Sequence, residues 1–222
     1  MKTVISLCDL TGNMVKPWVD AGYNAILVDP QHGFTRTETR PNGATITRFA
    51  GTVEDAMPLI AALIAAGLVA AVFGFPPCTD MAVSGARWFK DKYVKDPLFQ
   101  AKGVMVAEQC RTIGRLSGAP YMVENPVSVL ASAFGKPQHT FHPADYTAYE
   151  PGDNYTKKTC LWTGGGFQMP APAKDHTLGA PDNRIHFASP GPERANFRSA
   201  TPMGFARAVF EANHRPTLEA AA

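Results

Sequence analysis

Cys78 follows two prolines and the apolar run 68–73, so a thiol stands at the end of a predicted strand. In α/β sheets ligands gather at the carboxyl ends of strands. Pro76 and Pro77 fix φ and remove two backbone donors, which stiffens the turn. A stiff turn suits a nucleophile that must meet its substrate at a set angle. A lone cysteine is also at home as a small buried hydrophobe, but the prolines before it and the polar Thr79 and Asp80 after it argue for exposure. A free thiol with a pKa of about 8.5 is mostly protonated near neutrality. It therefore needs a base, a cation, or a substrate that is protonated as the thiol adds. Glu124-Asn125-Pro126, at the end of the next predicted strand, offers such a partner. A carboxyl beside a nucleophile can hydrogen-bond and protonate a ring nitrogen, making the ring electrophilic toward sulfur. The same acid would serve equally as a helix cap.

Three further groupings surround this pair. Asp9-Leu10-Thr11-Gly12 follows the first predicted strand, and Asp29 ends the second. A glycine turn lets a cofactor approach the backbone, and an acid ending the next strand can accept both ribose hydroxyls of an adenosine. With one glycine rather than three, an ordinary strand–helix turn is the competing reading. Tyr155–Trp162 alternates, so Lys157, Thr159 and Leu161 share one face and Lys158, Cys160 and Trp162 the other. One lysine then points into a site and the other toward phosphate, or both mark a solvated basic edge strand. Glu193–Ser199 leads into the last helix, where its polar groups suit phosphate. Arg184 and Arg207 extend that patch, with surface salt bridges as the alternative.

The elements that must position these residues alternate. Strands are predicted at Thr3–Leu7, Asn24–Val28, Ala44–Phe49, Leu68–Phe73 and Tyr121–Val123, with helices at Met14–Ala21, Asp55–Ala66, Pro97–Leu116 and Val127–Phe134. Residues 31–42 read as a polar loop. This β-α alternation predicts an α/β fold, a doubly wound, mostly parallel sheet with helices on both faces. After residue 135 the chain turns rich in Pro, Gly, His, Asp and Lys. Residues 1–135 are therefore read as a catalytic core. Residues 136–214 complete it with a short irregular C-terminal region and a last helix begun by Thr201 as N-cap and Pro202. Residues 215–222 are read as a tail.

The 222 residues are 45% hydrophobic and 18% charged, enough for one sizeable packed domain. A formal net charge of +2 does not by itself indicate nucleic acid, so a local basic patch must carry that argument. Met57–Ala71, the most apolar stretch, is too short to span a bilayer. The N-terminal segment, broken by Asp9, lacks the pattern of a signal peptide. A cytoplasmic protein with no membrane partner is the expectation. The four cysteines lack metal-ligand spacing, and His139 and His142 read as a surface loop, so no metal is expected.

Taken in order, these pieces resemble the DNA (cytosine-5)-methyltransferases, especially the compact versions of phages and prophages. Pro76-Pro77-Cys78, Glu124-Asn125 and Thr156–Trp162 are similar to that family's nucleophile, acid and basic-strand motifs, and Arg198–Phe210 to its late arginine-threonine-proline motif. The resemblance implies a Rossmann-like fold that binds S-adenosylmethionine and acts on DNA. It implies that Cys78 adds to C6 of cytosine while Glu124 protonates or hydrogen-bonds N3. Asn125 would orient the turn or contact the base, and Lys157 or Lys158 would steer phosphate or the ring carbonyl. Asp9, Leu10, Thr11, Gly12, Asp29 and Pro76 would hold the cofactor. Asp55 would lie near its adenine, a place that Glu54 or Thr52 also fits. Ser84, Arg87, Lys158, Arg194 and Arg198 would contact DNA. The segment between Trp162 and Arg198 is too short for a full target-recognition domain. That leaves target choice to Arg36–Arg48, to Arg87–Lys95, to a second copy in a homodimer, or to an accessory protein. Two other readings stand beside this one: the same addition chemistry on a free pyrimidine nucleotide or with a group other than methyl, and a catalytically silent DNA- or cofactor-binding module.

Overall fold

The most apolar runs of the sequence become the middle of one sheet. The computed structural model describes residues 1–185, 187 and 194–214. Glu193 and the tail 215–222 lie outside the described residues. Along the chain the elements are β1 (Thr3–Leu7), α1 (Lys16–Asp20), β2 (Asn24–Val28), β3 (Arg36–Thr39), β4 (Thr45–Phe49), α2 (Met57–Ala65), β5 (Val69–Gly74), α3 (Phe89–Lys95) and α4 (Phe99–Ser117). They continue with β6 (Tyr121–Pro126), α5 (Leu130–Phe134), β7 (His139–Phe141), β8 (Thr159–Gly164), α6 (Arg194–Ser199) and α7 (Met203–Asn213).

The eight strands form one sheet in the order β3-β4-β2-β1-β5-β6-β8-β7. The five from β4 to β6 in that order run parallel, and β3, β8 and β7 each pair antiparallel with their neighbours. The chain winds outward through β1, β2 and β4, returns to place β5 beside β1, and winds out the other way to β6. Such a reversal puts a crevice outside the carboxyl ends of the two strands at the switch, here β1 and β5. Because β8 runs antiparallel to β6, its first residue, Thr159, pairs with Pro126 at the carboxyl end of β6. Lys157 and Lys158, just before it, are thereby delivered to the same edge.

Helices cover both faces, and successive strand residues point to opposite ones. Trp18 and Val19 of α1 and Phe205 and Val209 of α7 pack with Val4, Leu27, Phe73, Met122 and Leu161. On the other face Ile60 of α2, Ala107, Cys110 and Ile113 of α4 and Leu130 of α5 pack with Ile5, Leu7, Val28, Val72, Val123 and Trp162. The doubly wound, mostly parallel α/β expectation is what the structure shows.

Several local expectations are corrected. The polar stretch 31–42 contains β3, which no apolar pattern marks. It is held by its ladder with β4 and by the Thr37–Thr47 hydroxyl contact of 2.9 Å. β8 begins at Thr159 rather than Tyr155, and β7 covers its outer side, so it is not an edge strand. His139 lies in β7, and the backbone N–H of His142 donates to Asp145 Oδ2 at 2.7 Å. Thr201 does not cap α7: Pro202 occupies that place, and Asp153 Oδ2 accepts from the Gly204 N–H at 2.7 Å. Among the described residues no helix is long and apolar enough to cross a membrane.

Candidate active site

β5 and β6 are parallel neighbours, with Phe73 opposite Met122 and Gly74 opposite Val123. The Pro-Pro-Cys turn and Glu124-Asn125 therefore leave the sheet side by side. The turn closes on the Cys78 carbonyl, which accepts from the N–H groups of Met81 and Ala82 at 3.0 and 2.8 Å. Asn125, only 1% exposed, donates from Nδ2 to the Pro76 carbonyl at 3.1 Å. That bond ties the end of β6 to the turn that carries the thiol.

Cys78 is half-buried. Burial pushes its thiol above the ordinary value, the Glu124 carboxylate adds to the rise, and the cations of Lys157 and Arg198 oppose it. Burial likewise raises the Glu124 carboxyl, with Lys157 opposing. Glu124 Oε1 is buried and has no hydrogen-bond partner among the described residues, and the same is true of Asn125 Oδ1. Such orphaned atoms are costly in a core and are expected where a ligand is to supply the partner. Glu124 and Lys157 line a cavity of about 10 Å³ whose walls include Phe75, Thr159, Ser199 and Thr201. That space suits roughly one water. Lys158 is exposed and acts instead on Cys160, whose thiol burial raises and Lys158 lowers.

The second group lies across the switch point. Asp9 is buried, and Oδ1 accepts from the N–H groups of Thr11 and Gly12 at 3.0 and 2.8 Å while Oδ2 accepts from Ser6 Oγ at 2.7 Å. Its carboxylate shapes the turn. Gly12 has φ +75°, and a Cβ there would meet Leu27 Cδ1 at 2.9 Å, so the glycine is required. Cys8, which enters this turn, is the only non-glycine with positive φ among the described residues, at 57°. Strain of this kind collects at functional turns. Asp29 accepts the Gln31 N–H on Oδ1 at 2.8 Å.

His32 and Arg48 join this group; the sequence marks Arg48 only within the Arg36–Arg48 stretch offered for target choice and gives His32 no role. Burial and the Arg48 guanidinium lower the His32 imidazole, while Asp29 and Asp9 raise it. His32 Nε2 is buried without a partner among the described residues. Arg48 donates to the Leu10 carbonyl at 3.3 Å. The available signal was the position of His32, three residues beyond the acid that ends β2.

No protein-family model matches the chain, and no curated protein is significantly similar to it.

Other predicted residues fall elsewhere. Asp55 is exposed, and its carboxylate accepts from the Thr52 N–H and hydroxyl at 2.9 and 2.7 Å, a local turn ahead of α2. Ser84 and Arg87 are exposed just beyond the Cys78 turn. Arg198 reaches the Cys78 field, while Arg194 is half-buried in the same short helix. Arg184 is paired with Asp182 and Arg207 with Glu150, the surface salt bridges that were the alternative reading of these two residues. A larger cavity, about 340 Å³, opens at the amino ends of β1 and β5 between Lys2, Trp18, Gly67 and Gly118. It holds none of the predicted site residues and lies at the opposite end of the sheet from the carboxyl ends where ligands of such sheets gather.

Proposed function

We propose that this chain is an S-adenosylmethionine-dependent DNA cytosine-C5 methyltransferase. The observation that carries the reading is the meeting of Cys78 and Glu124 at the carboxyl ends of adjacent strands, both raised by burial and both facing the charge of Lys157.

The pair needs one proton between them. A thiolate beside a protonated Glu124 holds the same proton count as a thiol beside a carboxylate. When the carboxyl is neutral, its upward push on Cys78 vanishes, and Lys157 and Arg198 favour the thiolate. Cys78 Sγ then bonds to cytosine C6, the C5–C6 π electrons move onto C5, and Glu124 delivers its proton to N3. Once C5 has bonded to the transferred methyl group, the C5 proton would leave to solvent water, the C5–C6 double bond would re-form as the S–C6 bond breaks with return of the thiolate, and the N3 proton would go back to Glu124. Asn125 keeps the turn at its angle through the Pro76 carbonyl. The space beside Glu124 is that of one water, so a cytosine ring would reach it only if the wall at Ser199 and Thr201 shifted. A base within a duplex must first leave the stack.

The residues around the switch point fit the methyl donor. The Cys8–Gly12 turn, strained at Cys8, would approach its amino-acid end, and Asp29 and His32 Nε2, which has no partner among the described residues, would meet its ribose and base. When bound, the sulfonium supplies an electrophilic methyl group for C5.

The test is incubation with DNA and labelled S-adenosylmethionine, scored for 5-methylcytosine by mass spectrometry. Wild type should label DNA, and Cys78→Ala should lose turnover by at least a hundred-fold while keeping cofactor binding. No label on single- or double-stranded DNA would sink the reading. The stretch between β8 and α6 is short and, among the described residues, contains no helix or strand, which favours a free pyrimidine nucleotide as the second acceptor. Label in free dCMP but not in DNA would establish that alternative.

A further inference from the structure

The segment directly after the Cys78 turn carries large apolar side chains on the outside. Trp88 is 53% and Tyr93 59% exposed, and Val94 and Leu98 are exposed beside them. Between Val83 and Lys95 the chain places four cations and one acid. Two of its side chains are anchored inward. Phe89 packs edge-on against Phe99 at 5.6 Å, and Lys92 Nζ bonds Asp80 Oδ1 at 2.6 Å and the Thr79 carbonyl at 2.9 Å. These contacts fix the segment to the turn that holds the thiol. Arg87, Lys90 and Lys95 form no salt bridge among the described residues. Arg87 instead lies over the Trp88 ring at 5.0 Å. Lys90, Tyr93 and Val94 stand at helical spacings of three and four and share one face of α3. Each exposed aromatic thus has next to it a cation that forms no salt bridge among the described residues.

Exposed rings interleaved with unpaired cations match what a single nucleic-acid strand offers, flat bases on an anionic backbone. We propose that Trp88 and Tyr93, with Arg87, Lys90 and Lys95, form a stacking platform for unpaired nucleotides of a DNA strand beside Cys78. The proposal rests on the reading above in taking DNA as the acceptor. It adds the partner's form: unstacked bases, held without sequence readout. It also gives a source of affinity to a chain with little room for a recognition domain. Stacking on a ring is tolerant of base identity, so the platform would hold the strand while the Cys78 site selects cytosine.

The test uses the full chain and a thymidine homo-oligomer of about a dozen nucleotides, which contains no cytosine and cannot turn over. Trp18 and Trp162 are 1% and 3% exposed, so Trp88 is the tryptophan a base can reach. Adding the oligomer should quench tryptophan emission, and binding should weaken steeply with salt. By anisotropy of a labelled oligomer, Trp88→Ala and Tyr93→Ala should each weaken binding at least about five-fold. Trp88→Phe should bind almost as wild type with the quench abolished, which separates stacking from misfolding. Binding without quenching, Trp88→Ala binding as wild type, or preference for duplex over single strand would overturn the platform. So would wild type that methylates DNA yet does not bind the oligomer at low salt. Platform binding with no methylation under any condition would leave the inference standing and remove the proposed reaction instead.

Discussion

The Glu124 carboxylate makes Cys78 harder to ionise, burial raises both groups, and Lys157 makes both easier to ionise. This opposition is testable without knowing the reaction. Alkylation by iodoacetamide follows the thiolate, and peptide mapping separates Cys78 from the buried Cys110 and Cys160. Because the Cys78 pKa is raised, its alkylation should climb only at a more alkaline pH than that of an ordinary cysteine. Glu124→Gln removes the carboxylate that lifts the thiol, so the profile should move toward lower pH and the rate near pH 8 should rise. Lys157→Met should move it the other way. Turnover should respond oppositely for Glu124→Gln, falling roughly a hundred-fold or more, since the variant has no proton to give N3. The pH dependence of turnover should be bell-shaped: at low pH both groups hold protons, at high pH neither does, and the working form holds one. The two limbs belong to the pair rather than to either residue. If Glu124→Gln left the Cys78 alkylation profile unmoved, the two side chains would not share a site.

At the scale of elements, the tightest constraint is where the turn after β8 meets the end of α4. Gly165 has φ +62°, and a Cβ there would sit 1.9 Å from the Ala119 carbonyl oxygen. Gly166 has φ +80° and open space around it. Gly165→Ala should therefore combine left-handed strain of about 1–2 kcal/mol with overpacking of about 1–3 kcal/mol, lowering Tm by on the order of 10 °C. Gly166→Ala should show the strain alone. Equal losses in the two variants would refute the packing argument. The same contrast between local and distant causes explains what could be read from sequence. β1 and β2 match their predicted bounds because buried central strands are continuous apolar runs. The neighbouring of β5 and β6, and with it the pairing of Cys78 and Glu124, followed from β-α alternation. β3 was illegible because Arg-Thr-Glu-Thr has no buried face to declare it. The cap of α7 was illegible because Asp153 lies fifty-one positions from Gly204. Choosing Lys157 over Lys158 needed the antiparallel run of β8, which no local pattern encodes.

For the whole molecule, the doubly wound sheet brings two loops to one crevice, the strained Cys8–Gly12 turn from β1 and the proline turn from β5. A cofactor bound there touches elements from both halves of the winding, so its binding energy becomes global stability. A ligand at a hundred times its Kd that binds only the folded state adds about 2.7 kcal/mol. For a chain of this size each kcal/mol moves Tm by roughly 2–4 °C. Saturating S-adenosylmethionine should accordingly raise Tm by about 5–10 °C. Asp29 has one oxygen occupied by the Gln31 N–H, and its other oxygen makes no hydrogen bond among the described residues. Asp29→Ala should therefore cut the shift several-fold, while Cys78→Ala should leave it intact. His32→Ala should also reduce the shift, since the buried Nε2 would lose its ligand partner. A shift that survives Asp29→Ala and His32→Ala together would move the cofactor away from the β1–β2 side of the crevice. It would leave the thiol and its acid in place, but with the methyl group arriving from elsewhere.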